Sequence, residues 1–301
     1  MTNNVINTAV NKKSPFAVFY AEKLNVINVG VSRDTQLTDI DQLAMLAINE
    51  MLVSTSALLH KYLLQLGLEE VDINEIRASL AKLSGAGYLT KMEFASPAGK
   101  SLNKVYSLAA KGQMFVKSKG KHPMLSGYVD GLDATAVKRL LSSLQFILSQ
   151  NYISKATTIS MASIVAERGN CNAKENDHIF RPNATIQFKN KTVFVESVRR
   201  TFAGEDDLLR KLKRIDNCLK HSKYLNTEIH ETVEIVIICE DFDHMLSVIS
   251  AVKASKDRVC FDLAFTNDPD VYNQPENCIH PYKPRKTVWE KILAVVSRIV
   301  G

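Results

Sequence analysis

Residues 233–240 read VEIVIICE, and this run constrains the fold more than any other part of the chain. A continuous, β-branched apolar segment of strand length has to be covered on both faces, so it reads as a buried strand with helices packed around it. The neighbouring segments supply those helices. Residues 205–222 carry Leu208, Leu209, Leu212, Ile215 and Leu219 on one side and Arg210, Lys211, Lys213 and Arg214 on the other. Residues 241–255, DFDHMLSVISAVKAS, form a further helix capped by Asp241 or Asp243, and RVCFDLAF (258–265) is another strand. Upstream, RPNATIQFKNKTVFVESVRR (181–200) is two strands around a turn. The order β-β-α-β-α-β predicts an α/β sheet of mixed strand direction, preceded by a helix over 134–150 and a short one near 158–168.

The N-terminal half has a different grammar. Thr38 caps a helix whose apolar positions are Ile40, Leu43, Ala44, Ala47 and Ile48. A second helix covers 54–66 and ends at Gly67. A third starts at Asp72, with Glu75 completing a capping box and Ile73, Ile76, Leu80 and Leu83 on one stripe. YLTKMEF and NKVYSL then flank a Pro- and Gly-containing loop, as in a hairpin, and AAKGQMFVKSK resumes helical character. Three helices followed by a hairpin is the order of a winged helix-turn-helix, so the fold class expected overall is α+β. The domain plan is an arm over 1–37, the winged helix over 38–120, a linker over 121–133 and the mixed-sheet α/β domain over 134–285. A basic amphipathic helix over 286–301 follows, with Val288, Ile292, Val295, Val296 and Ile299 as its apolar face.

Charge points the N-terminal half toward a polyanion. The chain's formal net charge is only +6, yet residues 77–121 hold nine Lys and Arg against one acid, Glu93. On the third helix Asn74 and Arg77 are candidates for base edges, with Ser79 and Lys82 beside them. The hairpin offers Lys91, Lys100, Ser101 and Lys104 for phosphates, and Arg210, Lys211 and Arg214 add a second basic surface. Five widely separated cysteines fit neither a zinc site nor a disulfide framework and suit a reducing cytoplasm. No apolar run reaches membrane-spanning length, and no Gly-rich phosphate loop or G-x-S-x-G elbow occurs. Tyr106 reads as a packing residue of the hairpin and Tyr128 as a linker aromatic.

The segment VYSLAAKGQMF, the run Arg181-Pro182-Asn183-Ala184, VFVESVRR and the LLRKLKRID helix together resemble the plasmid replication-relaxation family. That family is distantly related to relaxases built on the restriction-endonuclease-like fold, and the resemblance covers most of residues 40–265. It implies a restriction-endonuclease-like C-terminal domain and a setting in plasmid or mobile-element mobilisation, with relaxosome or conjugation proteins as partners. In the family the strand starts Arg-Pro-Asp-Ala, with Asp as the expected metal ligand; this chain has Asn183. The later acid matches at Glu196, but Val198 stands where a Lys would orient water, and Arg199 alternates to the other face.

A phosphodiester-cutting site needs an anionic cage for Mg²⁺ or Mn²⁺, which Asn183 and Val198 both weaken. The expectation is therefore a sequence-directed duplex DNA-binding protein, an accessory factor at a transfer origin, with a degenerate nuclease-like domain and no bound cofactor. Strand alternation puts Glu196 with Phe194 and Val198, where it would be salt-bridged to a helix residue. Palindromic sites make a homodimer reasonable for such a DNA-binding module. Two alternatives stand beside this reading: a metal-dependent nickase using Glu196 with Asn183, Asp177 or His178, and a transcriptional regulator whose second domain senses a partner or ligand.

Overall fold

The computed structural model describes residues 24–27, 36–94, 104–123, 133–161, 165–166, 179–200, 204–221, 232–255 and 261–282. The arm other than 24–27, the hairpin tip, most of the linker and the 286–301 helix lie outside them.

In the N-terminal half, strand β1 (Leu24–Ile27) precedes helices α1 (Asp39–Met51), α2 (Ser56–Gln65) and α3 (Ile73–Gly85). Each helix begins on the side chain that local chemistry requires. Thr38 and Asp41 form a reciprocal capping box on α1, and Asp72 and Glu75 form one on α3. Thr55 Oγ1 accepts the Leu58 N–H at the start of α2. Gly67, at φ +84°, closes α2: its N–H reaches Leu64 O, and the N–H of Leu68 reaches Leu63 O. That pair of bonds places a residue in the left-handed region, where glycine costs least.

Strands β2 (Leu89–Phe94) and β3 (Lys104–Leu108) form an antiparallel hairpin, and β1 pairs along the free edge of β2. A single bridge, Ser54 to Tyr106, ties the α1–α2 connection to the other edge of β3. Helix α4 (Ala110–Ser118) follows.

Helix α5 (Ala134–Ser149), capped by Asp133, opens the second half. Residues 158–161, expected to be helical, are instead strand β4 (Thr158–Met161), paired antiparallel with β7 (Ala184–Phe188). Its β-branched Thr158 and Ile159 suit an edge strand, and tertiary pairing overrides the short helical pattern. A small ladder joins β5 (Val165–Ala166) to β6 (Ile179–Phe180). The remaining elements are β8 (Lys191–Ser197), α6 (Gly204–His221), β9 (Thr232–Cys239), α7 (Phe242–Ala254), β10 (Asp262–Asn267), α8 (Asp268–Asn273) and β11 (His280–Tyr282). They build a six-stranded sheet in the order β11-β10-β9-β8-β7-β4. Strands β8, β9 and β10 run parallel; β7 and β11 are antiparallel to their neighbours.

Strand alternation divides the core in two. Val193, Val195, Val236, Ile238 and Ala264 face α5 and α8; Phe194, Val198, Ile235, Ile237, Leu263 and Phe265 face α6 and α7. The first of these cores continues without a break into α1–α4. Helix α2 packs on α5, and Gln65 Nε2 donates to Leu148 O across that seam at 2.6 Å. The chain is a mixed α/β protein, and among the described residues no helix is long and apolar enough to cross a membrane.

Candidate nucleic-acid interface and the Glu196 site

Helix α3 turns Asn74 and Arg77 outward together. Both are exposed, and Arg77 Nη1 donates to Asn74 Oδ1 at 3.2 Å, so the i,i+3 pair presents one planar, polar surface. Ser79 does not join them. It is 4% exposed, and its hydroxyl donates to Asp41 Oδ1 at 2.6 Å. Three residues beyond Ile76 and four before Leu83, it belongs to the buried stripe, made tolerable by an acceptor on α1.

Lys82 meets the same acid, at 2.6 Å to Asp41 Oδ2, and also donates to Gln36 O. Burial works to raise the Asp41 carboxyl, but hydrogen bonds from Lys82, Ser79 and Thr38 outweigh it and hold the group below the usual carboxylate range. The outcome is a polar clamp that fixes the angle at which α3 leaves α1.

The basic count over 77–121 also shrinks on folding. Lys82 pairs with Asp41, Lys91 with Glu93 at 3.2 Å and Lys121 with Glu50 at 2.9 Å. Asp41 and Glu50 lie outside the counted segment, so counting along the chain could not find them. Lys104 is exposed at the start of β3, whereas Lys100 and Ser101 lie outside the described residues. On α6, Arg210 is exposed but paired with Asp207, and Arg214 is exposed. Lys211 is not part of an open basic face: its ammonium lies 2.5 Å from Glu196 Oε1.

That contact defines the second site. Glu196 is 4% exposed, on the sheet face that Phe194 and Val198 also line. Leu208, Leu212 and Ile215 dock α6 on this face, which brings Lys211 over the carboxylate. The other carboxylate oxygen, Oε2, is buried and meets no hydrogen-bond donor among the described residues. Asn183 sits one residue before Ala184, which pairs with Val195, so it lies across from Glu196 on the adjacent strand. Its Oδ1 accepts the Ser197 N–H at 2.8 Å.

These residues fit a divalent metal poorly. A hard cation needs several anionic oxygens, and here one carboxylate is neutralised while the amide carbonyl holds a strand. Among the described residues no group of three or more His, Cys, Asp or Glu side chains could hold a metal ion. Asp177 and His178 lie outside those residues.

Arg199 is on the opposite face from Glu196. At 2% exposed it pairs with Asp268 at the head of α8 through Nη1, and its Nη2 donates to Ser197 Oγ at 2.8 Å. Ser142 on α5 adds a 2.6 Å hydrogen bond to the same carboxylate. Arg200, next along, is bidentate on Asp241, which caps α7. This cluster lies where β8, β9 and β10 end, and sequence reasoning missed it because Asp268 is 69 residues from Arg199. Tyr106 is a packing residue of β3, its hydroxyl pKa raised by burial and by the charge of Glu93. Cys239 and Cys278 are buried; Tyr128 lies outside the described residues.

No protein-family model matches the sequence, and no match is found among curated proteins. Among solved structures, the chain is similar to the crystal structure of protein VC1899 from Vibrio cholerae, at 10% sequence identity and a TM-score of 0.29. The match covers 87% of this chain and 59% of that one, so the chain spans less than two thirds of that protein's length. A likeness at that TM-score carries no argument about function.

Proposed function

We propose that this chain is a sequence-directed duplex DNA-binding protein that holds DNA without cutting it. The observation that carries this reading is the outward Asn74–Arg77 pair on the third helix of a three-helix unit closed by a hairpin. The Ser54–Tyr106 bridge, which adds the α1–α2 connection to that hairpin, supports a winged helix-turn-helix. In such a module the third helix enters the major groove, where Arg pairs with guanine and Asn with adenine. Lys104 and the hairpin then follow the backbone.

The hairpin β7–β8 followed by α6, β9, α7 and β10 supports the restriction-endonuclease-like reading of the second half. The Lys211–Glu196 pair supports its being inactive. The resemblance to plasmid replication-relaxation proteins supports a role as an accessory factor in mobilisation.

The test is fluorescence anisotropy with labelled duplexes taken from the DNA around the protein's own coding sequence. Binding should weaken steadily as salt rises, because phosphate contacts release counterions. Arg77→Ala should cost about 1–3 kcal/mol on the preferred duplex and less on unrelated DNA. Equal losses on all duplexes, or no loss, would remove α3 from the interface.

A further inference from the structure

We propose that Lys211 is the resident cation of the Glu196 site, so that this carboxylate has no remaining affinity for a divalent metal. The inference rests on the nuclease-like reading of the second half, but not on DNA binding by the first.

Three observations carry it. The Lys211 ammonium stands 2.5 Å from Glu196 Oε1, and the Lys side chain is 25% exposed against 6% for the Glu. A partly desolvated ion pair at that distance is screened far less than one on the surface. The position across from Glu196 holds an uncharged Asn183, whose carbonyl already accepts the Ser197 N–H. Glu196 and Lys211 therefore sum to zero charge, where a carboxylate at both strand positions would present two negative charges to a metal. Finally, Lys211 is held in place by neighbours that bury deeply. Leu208 and Leu212, three residues before it and one after, are 4% and 3% exposed. A tethered cation so placed has a high effective concentration at its partner, and a dissolved ion has to displace it.

The two neighbours of Glu196 act in the same direction. Asn183 brings no negative charge, and Lys211 cancels that of Glu196 while the ion pair anchors α6 to β8.

The experiment is a Mn²⁺ titration of the full chain, following the free-ion signal by electron paramagnetic resonance. Wild type, Glu196→Gln, Lys211→Met and Asn183→Asp/Lys211→Met are compared. Met keeps the apolar stem of Lys211, and circular dichroism identifies which variants are folded. The wild type should show no saturable site at millimolar Mn²⁺. The folded double variant should bind one ion per chain at least about tenfold more tightly than wild type, since it removes a positive charge and adds a negative one beside Glu196. One Mn²⁺ per wild-type chain, lost in Glu196→Gln, would overturn the proposal whatever the variants do. A folded double variant that binds no better than wild type would overturn it as well. Neither result bears on DNA affinity, which the anisotropy experiment measures separately.

Discussion

Asp268→Asn removes the negative charge facing Arg199 while keeping nearly the same shape. The two side chains are 2% and 3% exposed, so the guanidinium has no route to water when its partner is neutralised. Removing one member of a buried ion pair costs about 3–5 kcal/mol, because the remaining charge is left without compensation. Asn retains a carbonyl that can still accept from Arg199 or Ser142, which places the expected loss near the lower bound, about 3 kcal/mol. At roughly 2 °C per kcal/mol for a chain of this size, the unfolding midpoint should fall by about 6 °C.

Removing both charges is a different perturbation. Arg199→Met/Asp268→Leu removes both members of the pair, although the hydroxyls of Ser142 and Ser197 lose partners. The double variant should therefore recover at least half of the loss. Urea unfolding followed by circular dichroism measures both. A single variant within about 1 kcal/mol of wild type would mean that water reaches Arg199 and that the pair is not buried as described. A double variant less stable than the single would show that the pair contributes net stability, against the reasoning.

Three further expectations rest on single contacts. His244 is held well below its ordinary pKa, at about 4, by burial first and then by the charge of Arg200; its Nδ1 accepts the Glu240 N–H at 3.2 Å. A depressed pKa means the unfolded chain binds the extra proton first, so stability is lost as pH falls from about 6.5 toward 4, by up to roughly 1.4 kcal/mol per pH unit. Glu240, whose carboxyl is raised by burial, opposes that slope, so the measurement is the difference between wild type and His244→Gln across this window. Gly112→Ala should destabilise by roughly 1–3 kcal/mol, as for an overpacked core. Its new Cβ would lie 2.3 Å from the carbonyl oxygen of Tyr88 and 3.0 Å from Leu108 Cδ2, and an unchanged melting temperature would show that α4 can shift. Asp41→Ala leaves the buried Ser79 hydroxyl without its acceptor and takes the carboxylate from Lys82, costing about 2–3 kcal/mol and weakening DNA binding through the misplaced α3.

Much of the fold was legible because it is written in local chemistry. Thr38, Asp72 and Glu75 announce helix starts, Gly67 announces a stop, and the apolar run at 233–240 requires a two-sided sheet. The face of Glu196 followed from alternation alone. Polar partners separated along the chain were not legible. Ser79 reads as outward-facing until Asp41, 38 residues earlier, is known to receive its hydroxyl. The basic stretch over 77–121 reads as open charge until Asp41 and Glu50 are seen to neutralise two of its lysines. Lys211 reads as one of the four cations Arg210, Lys211, Lys213 and Arg214, and the docking of Leu208 and Leu212 is what selects it for Glu196. Residues 158–161 illustrate the same limit for the backbone, since the strand exists through its pairing with β7.

The most direct test of the central claim is a gel of supercoiled plasmid carrying the DNA around the protein's own coding sequence. The purified chain is added with Mg²⁺, Mn²⁺ or EDTA, beside Glu196→Ala. DNA binding without cutting predicts retarded but intact plasmid under all three conditions, with retardation fading as salt rises. Metal-dependent conversion to open circles by the wild type, absent in Glu196→Ala, would contradict it and make Glu196 a catalytic residue of a nickase.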